Sequence, residues 1–227
     1  MLVLVTGGLG FIGTPLCDRL EREGHEVRIL DVPYNLLVRE TAWLHMANCE
    51  AVIHLAAYTD IYKSWKEPTE CFLTNVVGTQ NIIRAGRSGT TLKRIVAASD
   101  LIIGHQDNWK SPYAVSKIAM ENLLWDSPFS CCSLRLGTVY GDSPLPEIRE
   151  GSHDFVHIDK VVDAFMKALT SNVEGMIDVG SGELTQATVM AERTGCEIRA
   201  LKSSIRPVAA RVYEANHLLR LELEAVA

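Results

Sequence analysis

The six cysteines of the 227-residue chain form no Cys-x-x-Cys pair, and its seven histidines fall into no zinc-like spacing with them. A metal site is therefore not expected. Cys17, Cys49, Cys71, Cys131, Cys132 and Cys196 read instead as buried reduced thiols, which fits a cytoplasmic protein. Basic excess is missing too, since 22 Lys and Arg stand against 28 Asp and Glu for a net charge of −6. That argues against nonspecific nucleic-acid binding, which needs basic surface to displace counterions from phosphates. No apolar run approaches the roughly 20 residues that span a bilayer, and Met1 to Thr6 is too short and lacks the basic leader of a signal peptide. Internal repeats, low-complexity tracts and long linkers are also absent. With 47% hydrophobic and 22% charged residues, the composition is that of one fairly large soluble domain, or a domain with a small annex.

Apolar, β-branched runs recur at residues 2–6, 27–31, 51–56, 94–98, 132–136 and 176–179. Helical stretches lie between them at 11–23, 68–87, 113–125 and 159–169. Such alternation predicts an α/β fold, a parallel sheet covered by helices. Residues 141–146 are the clearest break, and beyond residue 179 the pattern becomes irregular. The division expected is a nucleotide-binding domain over 1–180 and a reduced substrate-side subdomain over 181–227. The last ten residues read either as a helix or as an exposed tail.

Gly7, Gly10 and Gly13 make a Gly-x-x-Gly-x-x-Gly turn directly after the first strand and at the start of a helix. In that context the glycines have separate physical uses: a tight turn at Gly7, close approach to a pyrophosphate at Gly10, and helix-on-strand packing at Gly13. The helix N-terminus adds free N–H donors, so a dinucleotide is expected here, in contact with Phe11 and Ile12 as well. Asp31 ends the second strand, 18 residues beyond Gly13. It either accepts hydrogen bonds from a ribose 2′-hydroxyl, which selects NAD over NADP, or only caps a turn. Arg28, on the same strand, is expected at the surface.

Tyr113 and Lys117 stand four residues apart on a predicted helix and so share one face. A nearby cation favours phenolate, which suits a general base. Ser99, at the end of the fourth recognised run, is either a hydroxyl aimed at a ligand or a turn serine. His54, inside an apolar strand, reads as a packed and hydrogen-bonded residue.

Together these residues resemble the extended short-chain dehydrogenase/reductase family, in its sugar-nucleotide epimerase/dehydratase branch. The resemblance runs from Met1 to about Leu223. It rests on Thr6-Gly-Gly-Leu-Gly-Phe-Ile-Gly13, Val52-Ile-His-Leu-Ala-Ala57, Asn75-Val-Val-Gly-Thr-Gln-Asn81, Tyr113-x-x-x-Lys117, Arg135-Leu-Gly-Thr-Val-Tyr-Gly141 and Asp154-Phe-Val-His-Ile-Asp159. It implies a Rossmann-type doubly wound sheet and NAD as cofactor, with Tyr113 as acid/base, Ser99 on the reacting sugar oxygen and Lys117 on the nicotinamide ribose. Leu55, Ala56, Ala57 and Asn75 would line or support the cofactor site. A homodimer is also implied, built on the helices at 68–87 and 113–125, whose apolar residues could alternatively face only the sheet.

Departures from the family pattern bear on the substrate. Asp100 matches the aspartate of the 4,6-dehydratases, but Leu101 replaces their partner glutamate and cannot remove a proton from sugar carbon 5. Only 19 residues separate Asp31 from Ala51, too few for the family's usual extra strand, so that strand is vestigial or the adenine is less enclosed. The segment 142–154 is shortened. His153 and Thr138 take the places of an arginine and an asparagine that would face diphosphate, and imidazole is a weaker phosphate ligand than guanidinium. Arg206 is either a surviving phosphate ligand or a surface arginine. The expected activity is that of a sugar-nucleotide epimerase. A ketosugar or small-carbonyl reductase, a dehydratase-like enzyme and a non-catalytic NAD-binding protein are the alternatives.

Overall fold

Val3, Leu4 and Val5 are apolar at successive positions, so strand β1 (Leu2–Thr6) buries both of its faces and lies inside the sheet. The computed structural model describes residues 1–32, 35–88, 91–104, 111–141 and 147–199. After β1 come α1 (Gly13–Arg22), β2 (Glu26–Leu30), α2 (Arg39–Met46), β3 (Ala51–His54), the short α3 (Ile61–Ser64) and α4 (Pro68–Phe72). A single π-helical turn (Leu73–Val77) then leads into α5 (Gly78–Gly86). The helix expected over 68–87 is thus one path that widens in its middle.

β4 (Arg94–Asp100) ends in a 3-10 turn (Leu101–Gly104), and α6 (Pro112–Trp125) follows. Ser111 caps α6 by accepting a hydrogen bond from Ala114 N at 3.1 Å, and Pro112 occupies its first turn. β5 (Ser130–Leu136), β6 (Thr138–Tyr140), β7 (Glu147–Arg149), β8 (Ser152–His157), α7 (Ile158–Thr170), β9 (Gly175–Val179), β10 (Leu184–Gln186), α8 (Ala187–Thr194) and β11 (Glu197–Arg199) complete the described order.

Six parallel strands make the main sheet in the order β2-β1-β3-β4-β5-β9. From β1 the chain winds out to β2 on one side and to β3 on the other. The switch point therefore lies between the carboxyl ends of β1 and β3, where a doubly wound sheet opens a crevice. On one face Val3, Val5, Ile53 and Leu134 pack with Leu16, Leu20 and Phe165 from α1 and α7. On the other, Leu4, Val52 and Ile95 pack with Met46, Ile82 and Met120 from α2, α5 and α6. The α/β doubly wound fold expected from the sequence is the fold of the chain.

Between Asp31 and Ala51 the described residues hold α2 and no strand, so β2 is the outer strand of the sheet. Arg28, expected at the surface, reaches back from β2 and donates to His45 O at 2.9 Å and Ala47 O at 2.6 Å. It satisfies carbonyls at the end of α2 and ties that helix to the sheet edge.

The small sheets are interleaved. β6, β8 and β10 form a three-stranded sheet, while β7 pairs with β11, so segments from both sides of residue 180 are joined. Buried Asp154 on β8 adds a staple: Oδ1 accepts from Ser181 N at 2.6 Å and Ser181 Oγ at 2.7 Å, and Oδ2 accepts from Gly182 N at 3.0 Å. The expected C-terminal helix lies outside the described residues.

Candidate active site

The turn from β1 into α1 is too tight for side chains. Gly7 has φ +70°, and a Cβ there would sit 2.7 Å from Ala56 N. A Cβ on Gly13 would strike the Gly7 carbonyl and lie 2.6 Å from the Gly8 carbonyl carbon. Close approach of this loop to β3 and to its own helix is therefore a property of the glycines. No side chain caps the start of α1 and no acidic residue lies in its first turn, which leaves an N-terminus open to an anionic group.

Asp31 lies at one end of this cradle. Its Oδ2 accepts from Leu9 N at 2.9 Å and its Oδ1 from Val32 N at 2.7 Å. Each carboxylate oxygen keeps a further lone pair, so anchoring the glycine loop leaves Asp31 able to accept from ribose hydroxyls.

The other end is built by β4 and α6. Tyr113 donates its hydroxyl proton to Asp100 Oδ2 at 2.9 Å, and Asp100 Oδ1 accepts from Ile102 N at 2.9 Å. Lys117 donates to Ala98 O at 3.0 Å, with its Nζ 5.9 Å from the Tyr113 ring centroid. Burial pushes the Lys117 ammonium down to about 8, against the opposing pull of Asp100, Cys71 and Glu121. Ser99 is buried, and its Oγ has no hydrogen-bond partner among the described residues. A buried hydroxyl left in that state is costly.

Supporting residues fix these groups from behind. His54 bridges Thr6 Oγ1 at 2.7 Å and Thr79 Oγ1 at 3.0 Å. Burial, then the Lys117 charge, pushes its imidazole down to about 3, so it is a neutral packing residue. Asn75, at the centre of the π turn, accepts from Tyr58 N at 2.7 Å and donates to Tyr58 O at 3.1 Å and Ser116 Oγ at 2.8 Å. Arg135 on β5 grips Glu121 of α6 through both carboxylate oxygens, at 3.0 and 2.7 Å.

One cleft of about 880 Å³ gathers most of the residues singled out from the sequence. Gly7, Gly10, Phe11, Ile12, Gly13 and Asp31 line one end, Leu55, Ala56 and Ala57 the middle, and Ser99, Asp100, Tyr113 and Lys117 the other. Asn75 is not in that lining. Its carboxamide is occupied by the Tyr58 backbone, so it supports the wall and does not form it. Thr138 and His153 also stand away from the cleft, on β6 and β8, with His153 edge-on to Phe155 at 5.7 Å. Arg206 lies outside the described residues.

Sequence reasoning missed the ledge made by Val32, Asn35, Leu36 and Leu37, which closes the cleft beyond Asp31. Asn81, on α5, holds it by donating to Leu36 O at 2.8 Å. Its signal was present in the Asn75 to Asn81 motif, whose second asparagine had no assigned task. Among the described residues, no cluster of His, Cys, Asp and Glu is arranged to hold a metal, and no helix is long and apolar enough to cross a membrane.

A glycine cradle at the switch point, an open helix N-terminus and a cleft lined by Ser99, Tyr113 and Lys117 are what a dinucleotide-dependent enzyme needs. The sequence model of the NAD dependent epimerase/dehydratase family matches residues 3–153, and the chain belongs to that family. Its cofactor is NAD, and the cradle, the helix start and Asp31 fit that group. The chain is 33% identical over 141 residues to a UDP-glucose 4-epimerase of Klebsiella pneumoniae, covering 51% of this chain and 100% of that one. It is 26% identical over 218 residues to a dTDP-4-dehydrorhamnose reductase of Mycolicibacterium smegmatis, covering 90% and 62%. The crystal structure of the UDP-glucose 4-epimerase of Thermus thermophilus in complex with NAD superposes with a TM-score of 0.77 at 26% identity, covering 100% of this chain and 93% of that one.

Proposed function

We propose that the protein is a sugar-nucleotide epimerase that oxidises one sugar hydroxyl transiently and reduces the same carbon from the other face. The observation that carries this reading is the buried Ser99 hydroxyl without a partner, in the same cleft as Tyr113 and Lys117. Gly7, Gly10, Gly13 and the first turn of α1 would hold the pyrophosphate of NAD, Asp31 the adenosine ribose and Lys117 the nicotinamide ribose. When bound, NAD supplies the acceptor and later the donor of two electrons and the carbon-bound hydrogen. Ser99 donates to the reacting oxygen and steadies the charge that develops there. Tyr113 accepts the substrate hydroxyl proton and returns it after the sugar has turned.

Thr138 and His153, which replace the diphosphate-facing residues of the family pattern, lie outside the cleft lining and are given no role in this reading. Leu101 leaves the chain without the glutamate that a 4,6-dehydration needs. Incubation with UDP-glucose, UDP-galactose and related nucleotides, followed by chromatography, tests the assignment: interconversion without net NADH use is expected. A folded sample that converts none of them sinks it.

A reductase is the second reading, favoured by the reductase among the relatives, and sustained multiple-turnover consumption of NADH with a ketosugar would establish it. Tight NAD binding with no turnover of either kind, unchanged by Tyr113→Phe, would count against both and leave a nucleotide-binding role. The assembly proposed is a homodimer, supported by exposed Phe72, Leu73 and Val115 on α4, the π turn and α6. Sedimentation showing only monomer would refute it.

A further inference from the structure

We infer that His54, beyond its packing role, is a positioning residue: locked as its Nε2–H tautomer, it fixes the cofactor wall at Ala56 against the helix that carries Tyr113. The catalytic part of this inference rests on the oxidation assigned above. Neither His54 nor the two threonines bonded to it, Thr6 and Thr79, lines the cleft. Their hydrogen bonds nevertheless run from one side of the site to the other.

The directions are forced by groups that can only donate or only accept. On α5, Thr79 Oγ1 donates its one proton to Asn75 O at 2.7 Å. Toward His54 Nε2, 3.0 Å away, it can then only accept, so that nitrogen carries a ring proton. The imidazole is buried between two hydroxyls, and burial, then the Lys117 charge, keeps it neutral. Its Nδ1 is therefore bare and accepts from Thr6 Oγ1 at 2.7 Å. Thr6 Oγ1 in turn accepts from Ala56 N at 3.2 Å, a proton shared with Thr6 O, and Ala56 lines the cleft.

The line continues past Asn75. Its Oδ1 accepts from Tyr58 N, which can only donate, so the amide nitrogen is the atom 2.8 Å from Ser116 Oγ. Ser116 then donates to Tyr113 O at 2.7 Å. From Ala56 through Thr6, His54, Thr79, Asn75 and Ser116 to Tyr113, every donor points the same way. Each bond polarises the next, and all five intermediate side chains are buried, so turning one around would leave its neighbours unpaired. The line ties β1, β3, α5, the π turn and α6 together. The wall behind NAD and the Tyr113 backbone are thereby held at one separation, and a single break frees each from the other. A histidine that only filled space would need its volume and not its proton.

Breaking the line at its two sides separates its effects. Thr79→Val removes the hydroxyl that receives the ring proton and nearly keeps the volume. With UDP-glucose or UDP-galactose, kcat is expected to fall on the order of 10²-fold, the loss that goes with a misplacement of about 1 Å, while NAD affinity in calorimetry stays at wild type. Thr6→Val, on the wall side, should weaken NAD binding about tenfold. Thr79→Ser and Thr6→Ser keep the hydroxyl and should restore wild-type behaviour. Another readout needs neither turnover nor a variant: by nitrogen NMR of labelled histidine, the ring that does not titrate between about pH 8 and pH 5 should carry its proton on Nε2. A proton on Nδ1, or valine variants that lose stability yet keep wild-type kcat and NAD affinity, overturns the inference. If the valine variants do not fold, the ring tautomer decides. A wild-type protein that converts no nucleotide sugar overturns the reaction and not the line, which NAD affinity in Thr6→Val and the ring tautomer then decide.

Discussion

Removing Arg135 should be far more damaging than removing Arg135 and Glu121 together. Glu121 is 4% exposed and receives two hydrogen bonds from Arg135, at 3.0 and 2.7 Å. Arg135→Met leaves that carboxylate buried and uncompensated, a loss of about 3–5 kcal/mol. For a chain of this size that corresponds to a fall in Tm of roughly 10 °C. Arg135→Met with Glu121→Leu replaces the pair by apolar groups of similar volume and should lie within about 1 kcal/mol of wild type. The coupling between the sites is then at least about 2 kcal/mol, measurable by urea unfolding of the two single variants and the double one. The same helix face carries Tyr113 and Lys117, so the double variant, though stable, should bind NAD less tightly in calorimetry. If Arg135→Met costs under about 1 kcal/mol, or if the double variant is as unstable as the single, the pair is not the buried lock described here.

Three further outcomes follow from the site. Burial lowers Lys117 from 10.5 to about 8, so between these values the unfolded chain binds more protons and stability climbs with pH. Lys117→Met should remove that climb, on the order of 3 kcal/mol, in urea melts across the window. His54 falls from 6.5 to about 3, so its contribution is present above 6.5 and is lost as pH drops toward 3; His54→Leu should flatten that limb of the stability profile. Gly13→Ala drives a Cβ into the Gly7 carbonyl and to within 2.6 Å of Gly8. The cradle must then shift, and turnover should fall on the order of 10²-fold, the loss expected when a reacting geometry moves by about 1 Å, with weaker NAD binding in calorimetry.

The main sheet was legible because its inner strands β1, β3, β4 and β5 are largely buried on both faces and so read as continuous apolar runs. Residues 2–6 match β1, and the run at 132–136 falls within β5, which begins two residues earlier. The helix at 113–125 was legible from the sequence, and in the structure it opens one residue earlier, at Pro112 behind the Ser111 cap. Strands β6, β7, β10 and β11 have three residues each and pair across long stretches of chain, so no local periodicity announces them. The π turn escaped notice for a related reason: one widened turn leaves the apolar pattern of 68–87 nearly unchanged. In the cleft, the glycines and the Tyr113-Lys117 spacing are local signals. The Tyr113 to Asp100 bond spans 13 residues and depends on how α6 lies against β4, which spacing alone does not encode. Asn75 was seen through its motif as a support of the loop after β3, and its carboxamide holds the Tyr58 backbone of that loop.

The interleaving of the small sheets has a consequence for how the chain can be divided. It leaves the main sheet after β5, comes back through α7 to place β9 beside β5, and leaves again to add β10 and β11. No single cut separates the two parts. Truncation after residue 180 would take away β10, the antiparallel neighbour of β8, together with Ser181 and Gly182, whose donors Asp154 needs. A buried carboxylate would then be stranded in the piece that remains. The main sheet and the small sheets are thus inseparable as gene fragments, and a version of this protein reduced to its main sheet would have to be re-spliced, joining the end of β5 to the start of α7, instead of shortened.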